Sequence, residues 1–258
     1  MQFQCIALEQ HGPLGVVRLN QPDTLNALSE RMADELAAAI EHVEQTSRAM
    51  ILTGAGRAFC SGANLAIDPA QLDSLDFGLM LETQVNPLMQ RLRELPIPWI
   101  SAVRGAAAGV GCSLALAADL IVASESAYFL LAFSRIGLVP DGGASHLLAR
   151  TVGRPRAMEM ALLAERISAA QALTWGMVNR VVPDDVLDAT AIELAERLAT
   201  GPTSLCQTRR MIWDAVDYDW KRMLADERRE QSIAGASADA AEGIAAFAGK
   251  RQAEFRGA

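Results

Sequence analysis

The sequence predicts an α/β fold, a mostly parallel sheet covered by helices, and three observations carry that prediction. Short apolar runs of strand length alternate with helical stretches through the first two-thirds of the chain. The strand runs at 49–53 and 98–103 are continuously apolar rather than alternating, as expected of strands buried on both faces. Both are followed by glycine-rich turns, where the backbone changes direction before the next element.

The elements follow in order. Residues 16–19 form a short strand, and Gln21, Pro22 and Asp23 turn the chain, because the residue before a proline is pushed out of the helical region. Ser29 is a suitable N-cap for a helix whose apolar stripe is Met32, Leu36, Ile40 and Val43 and whose polar side carries Glu30, Glu35, Glu41 and Glu44. Strand 49–53 ends at Gly54, Ala55 and Gly56. Residues 68–77 are polar and irregular, a pattern that fits a mobile loop beside a site and an ordinary surface loop equally. Strand 98–103 gives way to a loop over 105–111, then to an apolar helix running to about Ala118, a strand at 120–123 and another around Tyr128 and Phe129. From Ser168 onward the pattern is largely helical, with helices over 184–198, 202–215 and 217–234 and a last short one ending near Lys250.

This pattern divides the chain into a core over 1–200 and a helical extension over 201–258, beginning near Gly201 and Pro202. The stripe of Leu224, Ile233, Ile244 and Phe247 is too sparse to fold alone, so the extension is expected to dock on the core or on a neighbouring subunit.

Composition narrows the function classes. With 51% hydrophobic and 21% charged residues in 258, the chain has the make-up of a folded protein with one large core. The net charge of −8 and the scattered Lys and Arg argue against a nucleic-acid or anionic-membrane partner. The first twenty residues lack a basic start with an apolar run, which leads us to expect a cytoplasmic protein. No apolar run approaches the ~20 residues that span a bilayer. Cys5, Cys60, Cys112 and Cys206 are widely spaced and form neither a zinc motif nor a disulfide framework, so reduced thiols and no metal are expected.

Two glycine-flanked segments carry the chemistry, 57–65 (RAFCSGANL) and 105–112 (GAAAGVGC). Where a strand passes into a helix, glycine allows close approach to a ligand, and the first helical NH groups have no internal partner. Taken alone, each segment reads as readily as a tight turn. Neither matches a phosphate fingerprint: GxxxxGK[ST] is absent, and Gly105, Gly109 and Gly111 have the wrong spacing for GxGxxG.

At these residues the chain resembles the crotonase (enoyl-CoA hydratase/isomerase) family. The resemblance continues through Leu25, Asn26, Ala27 and Leu28, through 105–119 and 137–143, and through 175–181 (WGMVNRV). It implies a ββα spiral core with a helical C-terminal lobe, assembly as homotrimers or homohexamers, and acyl-CoA substrates whose CoA is part of the substrate, with no separate cofactor. It also implies that the backbone NH groups of Ala63 and Val110 hold the thioester oxygen. Most relatives have glycine in place of Val110; the NH is kept, and the side chain is expected to narrow the space near the acyl group. Preorganised donors of this kind stabilise the enolate formed when a proton leaves the carbon beside the thioester.

The base decides the reaction. By position, the two glutamates of the family's hydratases fall at Ser113 and Phe133, and neither is a carboxylate here. Asp141 instead fills the position used by family members that shift a double bond and by one that rearranges an aromatic acyl-CoA epoxide in phenylacetate breakdown; the run 132–141 looks most like the latter. The dehalogenase branch needs a Trp where Phe133 stands. Without the resemblance, Asp141 before Gly142 and Gly143 would read as a helix N-cap, an arrangement that lowers a carboxyl pKa.

An isomerase is therefore expected ahead of a hydratase, with a catalytically inactive CoA-binding protein as the alternative from another class. Glu82 is a second possible acid, and His146, about one turn beyond Asp141, reads more simply as surface or core. Asp119 reads as structural. For CoA, the resemblance implies backbone contacts along Ala63, Asn64 and Leu65 and a phosphate contact from Lys250 of a neighbouring subunit, with Arg57 as another candidate; plain surface charge explains both basic residues as well. Leu65, Leu72, Phe77, Met80 and Phe133 are expected to shape the acyl pocket.

Overall fold

The protein is described by a computed structural model over residues 3–65 and 75–257. Leu72 and most of the polar stretch 68–77 lie outside the described residues.

The α/β architecture expected from the strand pattern is the one found. A six-stranded sheet has the order β1-β2-β3-β5-β7-β10, built from Ile6–His11 (β1), Leu14–Leu19 (β2), Ala49–Gly54 (β3), Trp99–Val103 (β5), Leu120–Ser124 (β7) and Arg180–Val182 (β10). β1 and β2 form an antiparallel hairpin; every other neighbouring pair is parallel. A smaller sheet, β4-β6-β8-β9, joins Ala58–Cys60 (β4), Ala106–Ala108 (β6), Tyr128–Leu130 (β8) and Ile167–Ser168 (β9).

Double-sided burial of the large sheet explains its apolar sequence. Along β2 and β3, Val17, Leu19, Met50 and Leu52 join one core cluster, and Leu14, Val16, Ala49 and Ile51 join another on the opposite face. The first cluster is closed by helix α1, Glu30–Thr46, whose stripe Met32, Leu36, Ile40 and Val43 is fully buried. Ser29 caps it, its hydroxyl accepting from the Met32 NH at 3.2 Å. The second is closed by a later helix, Leu187–Ala199, through Leu187, Ala191, Leu194, Ala195 and Ala199.

Five strands give too little sequence signal to be anticipated. β1 is half-exposed, and β4, β6, β9 and β10 have two or three residues each, fewer than a period-2 pattern needs. The stretch 105–111, expected to be all loop, therefore contains a strand, and the helix after it, Val110–Leu116, stops short of Ala118.

Between β4 and β5 the chain forms α2, Phe77–Met80, one π turn over Leu81–Val85, and α3, Asn86–Glu94. The helices along the rest of the chain are α4 (Val110–Leu116), α5 (Ala144–Thr151), α6 (Gly153–Leu163), α7 (Ala169–Thr174), α8 (Leu187–Ala199), α9 (Ser204–Ala215), α10 (Trp220–Gly235) and α11 (Ala238–Ala248).

The C-terminal helices attach through polar anchors. Arg209 of α9 is buried; its Nε donates to Asp119 at 2.8 Å, and its remaining nitrogens donate to the carbonyls of Leu92, Arg93 and Leu95. Asp119 also accepts from the Trp99 NH and from the Trp213 indole NH, each at 2.8 Å, so its role is structural, as its sequence position suggests. Buried Asp239 accepts from the backbone NH groups of Thr203, Arg256 and Gly257 and ties the chain end to the start of α9. Leu224, Ile233, Ile244 and Phe247, the stripe expected to dock, are exposed on this chain, Phe247 to 88%. No helix among the described residues is long and apolar enough to cross a membrane.

Candidate active site

The two glycine segments meet in space. Leu28 forms a parallel bridge with Ala63: its NH donates to the Gly62 carbonyl at 2.8 Å, and its carbonyl accepts from the Asn64 NH at 2.9 Å. In such a bridge the flanking residues face the partner, so the NH of Ala63 is turned away from Leu28. Val110 opens α4, where a first-turn NH has no intrahelical acceptor. Gly109 ahead of it has φ 53° and ψ −130°, a conformation that strains any residue with a Cβ. A Cβ on Gly109 would stand 3.5 Å from the Gly62 Cα, so the two loops are in van der Waals contact. One on Gly111 would be 2.4 Å from the Cys60 carbonyl oxygen, which leaves only glycine at this crossing of α4 and β4.

Asp141 is held beside them. Gly142, with φ 58°, packs on α4: a Cβ there would come within 2.8 Å of the Ser113 Cβ and 3.3 Å of Val110 Cγ2. The Ser113 hydroxyl donates to the Asp141 carbonyl oxygen at 2.8 Å. The Asp141 carboxylate has a buried Oδ1 with no hydrogen-bond partner among the described residues. Burial pushes its pKa up to about 6.

The helix-cap reading, which Asp141 would have without the resemblance, does not hold. The N-cap of α5 is Gly143, in the left-handed region with φ 79°, and no side chain caps that helix. Asp141 contributes only its carbonyl, which accepts from the Ala144 NH at 3.1 Å. With no donor on the carboxylate, desolvation raises the pKa where capping would have lowered it.

Ala63, Val110 and Asp141 line one cavity of about 500 Å³. Phe77, Met80, Leu81, Val85, Phe133 and Leu138 give it mainly apolar walls, and Val110, itself buried, is part of its lining. Leu65, Phe77, Met80 and Phe133 are thus on the wall as the sequence suggested, and so is Asn64.

Other candidates lie elsewhere. Glu82 is exposed and absent from the wall; Leu81, Gln84 and Val85, three and four residues apart on one helix face, border the cavity instead. His146 borders a different cavity beside Asp119 and stands 4.0 Å from Asp217, with its pKa lowered by burial and then by Arg150. Arg57 and Lys250 are exposed and off the wall, Lys250 just beyond α11 with φ 49°. Burial raises the Cys60 and Cys112 thiols to about 11 and about 12, which leaves both protonated. Among the described residues no cluster of three or more His, Cys, Asp or Glu could hold a metal ion.

Three site residues escape sequence reasoning. Ser113 was noted only as a missing glutamate. Gln84 has nothing in its sequence surroundings to mark it as a wall residue, and Glu30, exposed at the first turn of α1, reads as polar face until the Leu28 bridge brings that turn to the cavity.

The chain matches the family model described as enoyl-CoA hydratase/isomerase over residues 9–258. It is 45% identical over 245 residues, 93% of each chain, to the 1,2-epoxyphenylacetyl-CoA isomerase of Escherichia coli (strain K12). It is 40% identical, over the full length of both, to a Rhodobacter capsulatus protein named "Probable enoyl-CoA hydratase". Among solved structures, enoyl-CoA hydratase subunit I of Geobacillus kaustophilus superposes with a TM-score of 0.91 at 37% identity over all of both chains. The enoyl-CoA hydratase of Bacillus anthracis does so with 0.90 at 30% identity, over 99% of this chain and 100% of that one.

Proposed function

The chain belongs to the enoyl-CoA hydratase/isomerase family, and from that premise we propose that this acyl-CoA enzyme is a double-bond isomerase using Asp141 as its acid/base. One observation carries the reading: at the cavity wall the Asp141 carboxylate is partly buried, with no hydrogen-bond partner for Oδ1 among the described residues, while Ser113 and Phe133 stand where the resemblance puts the hydratase glutamates.

In the proposed mechanism the acyl group of a 3-enoyl-CoA lies in the apolar cavity with its thioester oxygen between the NH groups of Ala63 and Val110. The Asp141 carboxylate takes a proton from the carbon beside the thioester. The electron pair spreads through the dienolate to the oxygen, where the two NH groups stabilise it by ~3 kcal/mol each. The protonated Asp141 then returns the same proton two carbons further on, and the double bond moves into conjugation. Proton and electrons balance without a cofactor; CoA is part of the substrate.

A pKa near 6 suits this exchange, since the group is ionised at neutral pH yet basic enough to hold the proton in transit. The same carboxylate and aromatic walls suit the rearrangement of an aromatic epoxide acyl-CoA, the substrate that the Escherichia coli relative's name describes. Hydration, the other reading, needs a second group to orient water; among the described residues the other carboxylate on the wall is Glu30, which is exposed.

The CoA moiety is proposed to run along Ala63, Asn64 and Leu65, with Arg57 and a neighbouring subunit's Lys250 toward its phosphates. Residues 201–258 serve as a lobe that completes a cytoplasmic homotrimer or homohexamer; the exposed Ile212, Trp220, Ile244 and Phe247 favour such a partner. A 3-enoyl-CoA and a 2-enoyl-CoA supplied separately test the reaction. Bond migration from the first without hydration of the second is the expected result, and hydration of the second at a comparable rate overturns it.

A further inference from the structure

The cavity wall contributed by residues 77–85 is apolar at Phe77, Met80, Leu81 and Val85, and Gln84 interrupts it with an amide. Leu81, Gln84 and Val85, at the three- and four-residue spacing of one helix face, border the cavity together, while Glu82 and Thr83 are exposed. Gln84 is half-buried and has no hydrogen-bond partner among the described residues. An amide carries two donor hydrogens and an acceptor oxygen, and at an apolar wall only water or a ligand can satisfy them.

Its location is equally specific. Gln84 and Ala33 also border a second cavity of about 550 Å³ between α1 and α3, whose lining includes Asp34, Arg91 and Glu94. None of Ala63, Val110 and Asp141 reaches that cavity. Gln84 therefore stands at a boundary of the acyl cavity that the reacting groups do not share.

We propose that Gln84 is a specificity-determining residue that selects acyl groups carrying an oxygen function, such as a hydroxyl, carbonyl or ring oxygen, away from the thioester. The proposal rests on reading the cavity as the acyl site. An apolar wall rejects an added hydroxyl poorly, but a wall amide left unpaired penalises the ligand that lacks the oxygen.

Equilibrium binding of saturated-chain thioesters tests this without turnover. Phenylacetyl-CoA and its ortho-, meta- and para-hydroxylated analogues, titrated into the full chain, are expected to show a preference of ~10-fold for at least one hydroxylated ligand, the size of one hydrogen bond at a binding site. Gln84→Met, which keeps the length, should abolish that preference, and Gln84→Leu should do the same if the Met variant fails to fold. No preference in the unaltered chain, a preference that survives both substitutions, or an equal loss for phenylacetyl-CoA and its analogues would each overturn the assignment, the last because it would put Gln84 against the CoA moiety. Failure of the isomerase reading is recognised separately, as absence of bond migration with unsaturated thioesters, whatever the binding preference.

Discussion

The Ser113 hydroxyl donates to the backbone carbonyl of Asp141 at 2.8 Å, so the residue standing where hydratases have a carboxylate fixes the backbone of the residue that bears the carboxylate here. Ser113 is fully buried and leaves the carboxyl group itself unpartnered. If Asp141 is the acid/base, Ser113 is a positioning residue. Ser113→Ala should cost ~1 kcal/mol of stability, the net worth of one hydrogen bond. It should lower kcat several-fold at unchanged KM, with Ser113→Thr recovering part of the loss. Steady-state kinetics beside a denaturant titration check it, and a change in KM alone would count against positioning.

If Asp141 is the proton-accepting group, kcat/KM for a 3-enoyl-CoA should rise as pH increases and level off above an apparent pKa of about 6. A limb near the ordinary aspartate value of 3.8 would mean that substrate-free Asp141 is not desolvated as the cavity implies.

The same shift has a consequence for stability. Because the folded-state pKa is raised above the unfolded one, folding favours the protonated form, and wild-type stability is lost as pH rises through about 6. Asp141→Asn cannot ionise. It should be more stable than wild type at pH 8 by on the order of 1 kcal/mol, allowing for the solvent exposure of the group, with the advantage gone below pH ~4. Proton-transfer turnover should disappear in the same variant. Thermal melts across pH read the first effect, and retained turnover would remove Asp141 from the mechanism.

Backbone donors are insensitive to their own side chains. Val110→Gly should keep turnover within ~10-fold and relax the size limit on the acyl group, because the NH remains and only the wall recedes. Gly109→Ala places a Cβ at φ 53° and ψ −130° and should shift the Val110 NH. Loss of turnover by ~100-fold is expected from a displaced donor. The reverse order of the two effects would speak against the NH of Val110 as the donor.

Removing Arg209 leaves Asp119 as a buried charge with its main counter-ion gone. Arg209→Met should destabilise the chain by ~3 kcal/mol, and Asp119→Asn in the same chain should restore part of that. Additive losses in the double variant, read from chemical denaturation, would show that the two do not act as a pair.

The long elements were legible because each repeats its pattern several times. α1 offers a cap and four stripe residues, and β3 and β5 are continuous apolar runs. β4 and β6 were not, since three residues adopt a strand only because a neighbour is there to pair with. The site divided in the same way. Ala63, Val110 and Asp141, which border one cavity, were singled out through motif resemblance alone. The environment of Asp141 was misread: a carboxylate ahead of a helix looks like a cap, and only the αL conformations of Gly142 and Gly143 move it out of capping reach. Gln84 was not singled out, because apolar spacing does not say which polar side chain of a helix borders a cavity.

The Asp119–Arg209 pair has a further meaning for how such a chain can be recombined. Asp119 follows α4, the helix that Val110 opens, and its partner lies ninety positions on, in the C-terminal segment. A crossover between two relatives anywhere from 119 to 209 separates the charge from its complement. Chimeras joined near residue 200 should therefore be viable only when both parents bring the matching pair, and the C-terminal segment is inherited together with the helix that Val110 opens.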